Sequence, residues 1–279
     1  MKLVIDKIYQ NKAKTDNFLT GIKFIMLKKV FSKKIIRIVC LIVVFILLCI
    51  ALSITGGEQV FFYKKNKKVP IYYVRREDKR ISISFDCAWG TDYTDSLLET
   101  MESCNVRCTF FMVEFWVKKH PDYVAKIHQK GHDVGTHSST HPYMSKLSKD
   151  AVMRELQSSI NAIETVIGEK PTLFRAPYGD YNDQLLDCAS ELGLKTIQWD
   201  VDSLDWKDLS SKEIETRVVK KVKSGSIVLF HNQGLHTHQA LENIIKSLVN
   251  QGYTFVPISE LVYKDNYTIA SDGGQMKNL

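Results

Sequence analysis

Beyond residue 57 the chain has almost no net charge. Its formal +7 divides into ten Lys and Arg against Asp6 and Asp16 in residues 1–57, a net of +8, and 28 Lys and Arg against 29 Asp and Glu in residues 58–279, a net of −1. A near-neutral body has no broad basic field with which to hold phosphates, so nucleic acid is excluded as its partner. No internal repeat is visible. Cysteine is sparse too: Cys87, Cys104, Cys108 and Cys188 lie beyond the first 57 residues. Four thiols permit two disulfides, but a body with a 44% hydrophobic fraction has core enough without them, and all four read as buried free thiols. Cys40 and Cys49 follow Val39 and Leu48, where a lipid-anchored cysteine would need a small residue, and they read as membrane-buried thiols.

One long apolar run is present. From Ile38 to Ile54 only Ser53 is polar, a length of about 25 Å as helix and close to the thickness of a bilayer core. Lys23, Lys28, Lys29, Lys33, Lys34 and Arg37 crowd its N-terminal side, which places the N-terminus in the cytoplasm and the body outside. Residues 1–34 are then a basic cytoplasmic segment and 35–57 a transmembrane anchor or uncleaved signal. Ala51-Leu52-Ser53 also offers a small-residue cleavage site, so a secreted form stands as the alternative. Met26 opens a shorter segment of ordinary signal or anchor type and is a second candidate start.

Residues 58–78 read as a lysine-rich linker and a leading strand, Val69 to Val74. Strand and helix patterns then alternate: strands at 81–85, 106–113, 133–135, 172–175, 195–201, 226–230 and 255–257, helices at 95–103, 121–130, 149–167, 181–192, 210–222 and 238–251. This order predicts an α/β fold, a distorted parallel (β/α) barrel of about seven strands preceded by an N-terminal transmembrane helix. The catalytic domain is expected over 79–263, with 264–279 a polar and disordered tail.

His137 and His141 are four residues apart, so on a helical turn both rings share one face and reach a single divalent ion. Such a pair alone is as readily structural. Its company is more telling: Asp86 ends a strand, Arg175-Ala176-Pro177-Tyr178-Gly179 ends another, Asp202-Ser203-Leu204-Asp205-Trp206 follows a third, and Leu229-Phe230-His231 closes a fourth. His120, His128, His132, His236 and His238 read as structural or surface residues.

In that order the segments resemble the polysaccharide deacetylases of the chitooligosaccharide deacetylase (NodB) homology type. Val106-Arg107-Cys108-Thr109-Phe110-Phe111 and Gly131-His132-Asp133-Val134-Gly135-Thr136-His137 are similar to further stretches of the family, and Ala88-Trp89-Gly90 looks like a branch associated with spore-forming bacteria. The resemblance implies metal-dependent removal of N-acetyl groups from N-acetylglucosamine or N-acetylmuramic acid units. It assigns Asp86 as base, Arg175 as its ion-pair partner, His231 as general acid with its charge favoured by Asp202, and His137 and His141 as ligands of Zn²⁺ or Co²⁺. Pro177, the backbone of Tyr178, Trp206 and Leu229 shape the acetyl pocket, while Asp205 either assists or closes its loop.

Cys87 departs from the pattern, which has a second, metal-binding aspartate there. The thiol ligates softly, leaves a two-histidine site completed by water, or marks loss of metal and activity. Retained but altered metal use is preferred. The expected substrate is peptidoglycan or another N-acetylglucosamine-containing glycan outside the membrane. The alternatives are a carbohydrate-binding module without turnover, acting in envelope assembly or sporulation, and an amidohydrolase that opens cyclic amides.

Overall fold

The computed structural model describes residues 19–20, 23, 33–47 and 67–278. The chain separates into two compact units, Met1–Lys65 and Asn66–Leu279. In the first, residues 33–47 are helical with exposed side chains. Among the described residues no helix is long and apolar enough to cross a membrane. Residues 48–57 of the expected anchor, most of the basic segment 1–34 and the tether 58–66 lie outside the described residues.

The second unit is built on a parallel sheet. Its strands are β2 (Arg80–Cys87), β3 (Thr109–Met112), β4 (Asp133–Thr136), β5 (Leu173–Phe174), β6 (Lys195–Thr196), β7 (Val201–Asp202) and β8 (Ile227–His231), in the spatial order β6-β5-β4-β3-β2-β8-β7, while β9 (Thr254–Phe255) pairs with the start of β2. The single strand expected over 195–201 is in fact two. Residues 195–196 pair with β5 at one edge of the sheet and residues 201–202 with β8 at the other, so the chain crosses the barrel's opening between them. The leading segment fills that opening: Ile71 bridges to Ile197 and Tyr73 to Ser226. This is the distortion of the barrel in physical terms. The leading strand itself shrinks to β1, Tyr73–Val74.

The polar tail is ordered, contrary to expectation. β10 (Tyr267–Ile269) and β11 (Gly274–Lys277) form a hairpin that pairs through β11 with β1. Low apolar content misleads here because the backbone finds a sheet edge to pair with. Gln275 is fully buried, its amide exchanging hydrogen bonds with the backbone N–H and carbonyl of Tyr263 at 2.9 Å each.

Helices α1 (Thr94–Ser103), α2 (Glu114–Lys119), α3 (Pro121–Gln129), α4 (Lys149–Ile167), α5 (Asp183–Glu191), α6 (Ser211–Lys221), α7 (Thr237–Asn250) and α8 (Ile258–Leu261) complete the unit. Strand β2 shows how the sequence sets the faces. Ile81, Ile83, Phe85 and Cys87 join the apolar cluster shared with Leu97, Leu98, Leu241 and Ile244 of α1 and α7. Ser82, Ser84 and Asp86 alternate with them and face the barrel interior, since successive strand side chains point to opposite sides. Phe85 stacks on Phe110 and Phe230 of the flanking strands at 5.1 and 5.6 Å between centroids. That row of rings pins a register in which Asp86 is paired with Phe111 on one side and His231 on the other; a one-residue slip would turn Asp86 into the apolar layer.

Candidate active site

The functional candidates gather at the carboxyl ends of the parallel strands, the end where barrels of this kind carry their chemistry, and Cys87 alone turns its side chain to the helix-side cluster. Asp86 is the penultimate residue of β2 and His231 the last of β8, His137 and His141 follow β4, Arg175 follows β5, and Asp205 and Trp206 follow β7.

Arg175 is fully buried and Asp86 nearly so. The Arg175 guanidinium donates from Nη1 to Asp86 Oδ1 at 2.7 Å and from Nη2 to Ser84 Oγ at 2.8 Å, and lies over the Phe111 ring at 4.2 Å. Burial opposes ionisation of Asp86, but its charged neighbours, the Arg175 guanidinium first among them, outweigh it and hold the carboxyl below its usual range. Asp86 is therefore a buried, oriented carboxylate whose Oδ2 is turned to His137 Nε2, 3.5 Å away.

That approach is not a salt bridge. His137 Nδ1 lies 2.7 Å from the Arg175 carbonyl oxygen, which accepts its proton and leaves Nε2 as a lone pair. Burial lowers the pKa of His137 despite Asp86, and burial followed by the neighbouring His137 lowers that of His141 to about 4. Two neutral imidazoles, 4.9 Å apart between ring centroids, thus stand beside the carboxylate. The loop between them is tightly built. Ser138 and His141 have positive φ of 72° and 58°, His141 N–H donates to Ser138 Oγ at 3.0 Å, and Glu155 of α4 accepts from Ser139 N, Thr140 N and Thr140 Oγ1 at 2.9, 2.8 and 2.6 Å.

The partner of His231 is Asp205 rather than Asp202. Asp205 Oδ1 lies 2.8 Å from His231 Nδ1, while its Oδ2 accepts the His231 backbone N–H at 2.8 Å and the Thr237 hydroxyl at 2.7 Å. Asp202 instead accepts the Leu204 N–H at 2.8 Å and so caps its own loop. Burial works against a charged His231, but Asp205 first, then Asp86 and Asp202, raise its pKa above the ordinary value. Pro177 and Leu229 are buried nearby, whereas Tyr178, at a left-handed φ of 59°, and Trp206 expose 57% and 56% of their surface at the mouth.

Sequence reasoning left three supporting residues unnoticed. Ser84 was legible from the two-residue period that puts it on the face of Asp86. Asn232 follows His231 directly, and its side chain donates to the Trp89 and Gly90 carbonyls at 3.3 and 2.9 Å. Glu155 lies 15 residues from Thr140 along the chain and carries no local signal.

Residues 73–197 match the family described as polysaccharide deacetylase. A peptidoglycan-N-acetylglucosamine deacetylase of Bacillus cereus is 35% identical over 194 residues, 68% of this chain and 91% of that protein. The chain belongs to the polysaccharide deacetylase family. Protein YlxY of Bacillus subtilis is 32% identical over 193 residues, which span 69% of this chain and 60% of YlxY. Among solved structures, a CE4 family pseudoenzyme from Bacillus anthracis aligns with a TM-score of 0.67 at 34% identity, covering 69% of this chain and 68% of that one. A mutant of the same pseudoenzyme has restored enzymatic activity.

The family's metal site is incomplete in this member. Cys87 stays in β2, fully buried in the helix-side cluster on the face opposite Asp86, and burial followed by the charge of Asp86 pushes its thiol well above 9. A protonated thiol facing away from the histidines is not a ligand. Among the described residues no three His, Cys, Asp or Glu side chains gather as a metal-binding group. Two imidazoles remain, without the third donor that Zn²⁺ or Co²⁺ would take from this position.

Proposed function

We propose that the chain de-N-acetylates a cell-wall glycan, peptidoglycan or another polymer of N-acetylglucosamine type, with Asp86 and His231 as a base and acid pair. The observation that carries this reading is their opposite partners: a carboxylate bound by the Arg175 guanidinium and an imidazole whose Nδ1 faces the Asp205 carboxylate, on paired positions of adjacent strands. An amide needs a deprotonated water for attack and a proton for the departing amine. Asp86 takes the proton from water at its free Oδ2, and His231 delivers one to the nitrogen through Nε2, since Nδ1 is committed to Asp205. Leu229 and Trp206 receive the acetyl methyl, and the Tyr178 backbone faces the developing oxyanion. No step is drawn through a metal, because the donor set present does not complete one.

The apolar, basic-flanked segment 35–57 supports a membrane-held enzyme with its N-terminus in the cytoplasm and its catalytic unit outside, facing the glycan. The second reading, a glycan-binding module without turnover that serves the envelope or sporulation, is favoured by Cys87, which faces the helices and not the histidines, and by the likeness to a pseudoenzyme. Acetate release separates the two. The full-length chain, incubated with acetylated peptidoglycan with and without Zn²⁺ or Co²⁺, is expected to liberate acetate and to lose that activity in Asp86→Asn. Glycan binding with no acetate under any of these conditions would establish the binding module instead.

A further inference from the structure

Trp89 exposes 64% of its surface, on the loop that leaves β2 just after Asp86. The loop is not loose. The Gly90 carbonyl accepts from Trp116 Nε1 at 2.8 Å and from Asn232 Nδ2 at 2.9 Å, and Gly90 turns the chain at a left-handed φ of 51°. A pinned backbone therefore holds an indole out in water beside a buried carboxylate, where no demand of the fold requires it. The ring meets His141 edge-on, at 5.5 Å between centroids and 64°. On the far side of His141 stands Tyr178, 4.6 Å away, which stacks on Tyr143 at 4.3 Å, while the Lys146 ammonium lies 4.5 Å from the Tyr143 ring centre. Those two tyrosines occupy one another. Trp89 has no stacked ring partner among the described residues, and most of its surface is open to solvent.

A rigid exposed aromatic face next to a polar site suits a ligand with an apolar C–H face rimmed by hydroxyls, which is the build of a pyranose ring. Resting on the proposed glycan reading, we infer that Trp89 is a stacking platform for the sugar next to the one whose acetyl group enters the site. The chain then recognises a glycan of two or more sugars rather than a single acetylated sugar. The pinning by Asn232 and Trp116 supplies the preorganisation, since the platform loses little freedom on binding.

Calorimetric titration of the full-length chain with N-acetylglucosamine and with its tetrasaccharide tests this, using wild type, Trp89→Ala and Trp89→Phe. Trp89→Ala is expected to weaken tetrasaccharide binding about tenfold, equivalent to 1.4 kcal/mol, to leave the monosaccharide affinity and the melting temperature unchanged, and to be largely rescued in Trp89→Phe. Equal tetrasaccharide affinity in wild type and Trp89→Ala overturns the inference, as does a proportional loss for the monosaccharide. If that equal binding accompanies acetate release, the proposed function stands and the platform alone falls. Wild type that binds neither sugar overturns both.

Discussion

Asp205 holds His231 from two directions, with Oδ1 on the ring Nδ1 and Oδ2 on the backbone N–H, both at 2.8 Å. The carboxylate thereby fixes the tautomer, the ring orientation and the strand end at once, while Thr237 keeps it from rotating away. Asp205→Asn is expected to lower acetate release by about 10²-fold, the scale of a lost general acid, and Asp202→Asn by less than about threefold. Initial rates on one glycan decide it, and equal losses would restore Asp202 as the partner.

Cys87 packs in the apolar layer and not against the histidines. Shortening its CH2SH group to a methyl removes one sulfur atom's volume, so Cys87→Ala should cost about 1 kcal/mol of stability and leave acetate release unchanged. A collapse of activity with stability intact would show that the sulfur works in the site.

Among the described residues Arg175 is the sole guanidinium on Asp86, and both are buried. Arg175→Met leaves an uncompensated carboxylate in the barrel and should destabilise the fold by about 3 to 5 kcal/mol in denaturant titration. The sign with pH follows from the depressed pKa of Asp86. The pair's stabilisation is present above the unfolded value of about 4 and is lost as pH falls through the lower folded value. Asp86→Asn should therefore flatten the acid side of the stability curve.

Glu155 ties down Ser139 and Thr140, two of the three residues between His137 and His141, with three hydrogen bonds. Glu155→Ala should speed hydrogen exchange at the Ser139 and Thr140 amides by at least about tenfold, each lost bond to a charged acceptor being worth about 1.5 to 3 kcal/mol. Unchanged exchange would mean that the left-handed turns at Ser138 and His141 hold the loop unaided.

The alternation of strands and helices was legible because strands such as β8 keep an apolar run, β2 keeps a strict apolar/polar alternation, and the long helices keep an apolar stripe. The five motif segments were legible because each sits at a strand end. What escaped was long-range geometry. Nothing local in Lys195–Asp202 reveals that the chain leaves one sheet edge for the other, and nothing in the polar run after Tyr263 reveals that Gln275 finds a buried partner. Likewise, Asp202 and Asp205 are equivalent as letters. Only the turn at Leu204, with φ of 57°, brings the second of them under His231.

The pH dependence of acetate release tests the base and acid pair most directly. The account predicts a bell whose acid limb follows Asp86 at low pH and whose alkaline limb follows His231 above its ordinary value of about 6.5, with Asp205→Asn moving only the alkaline limb to lower pH. An alkaline limb that Asp205→Asn leaves in place, or release that persists in Asp86→Asn, would contradict it.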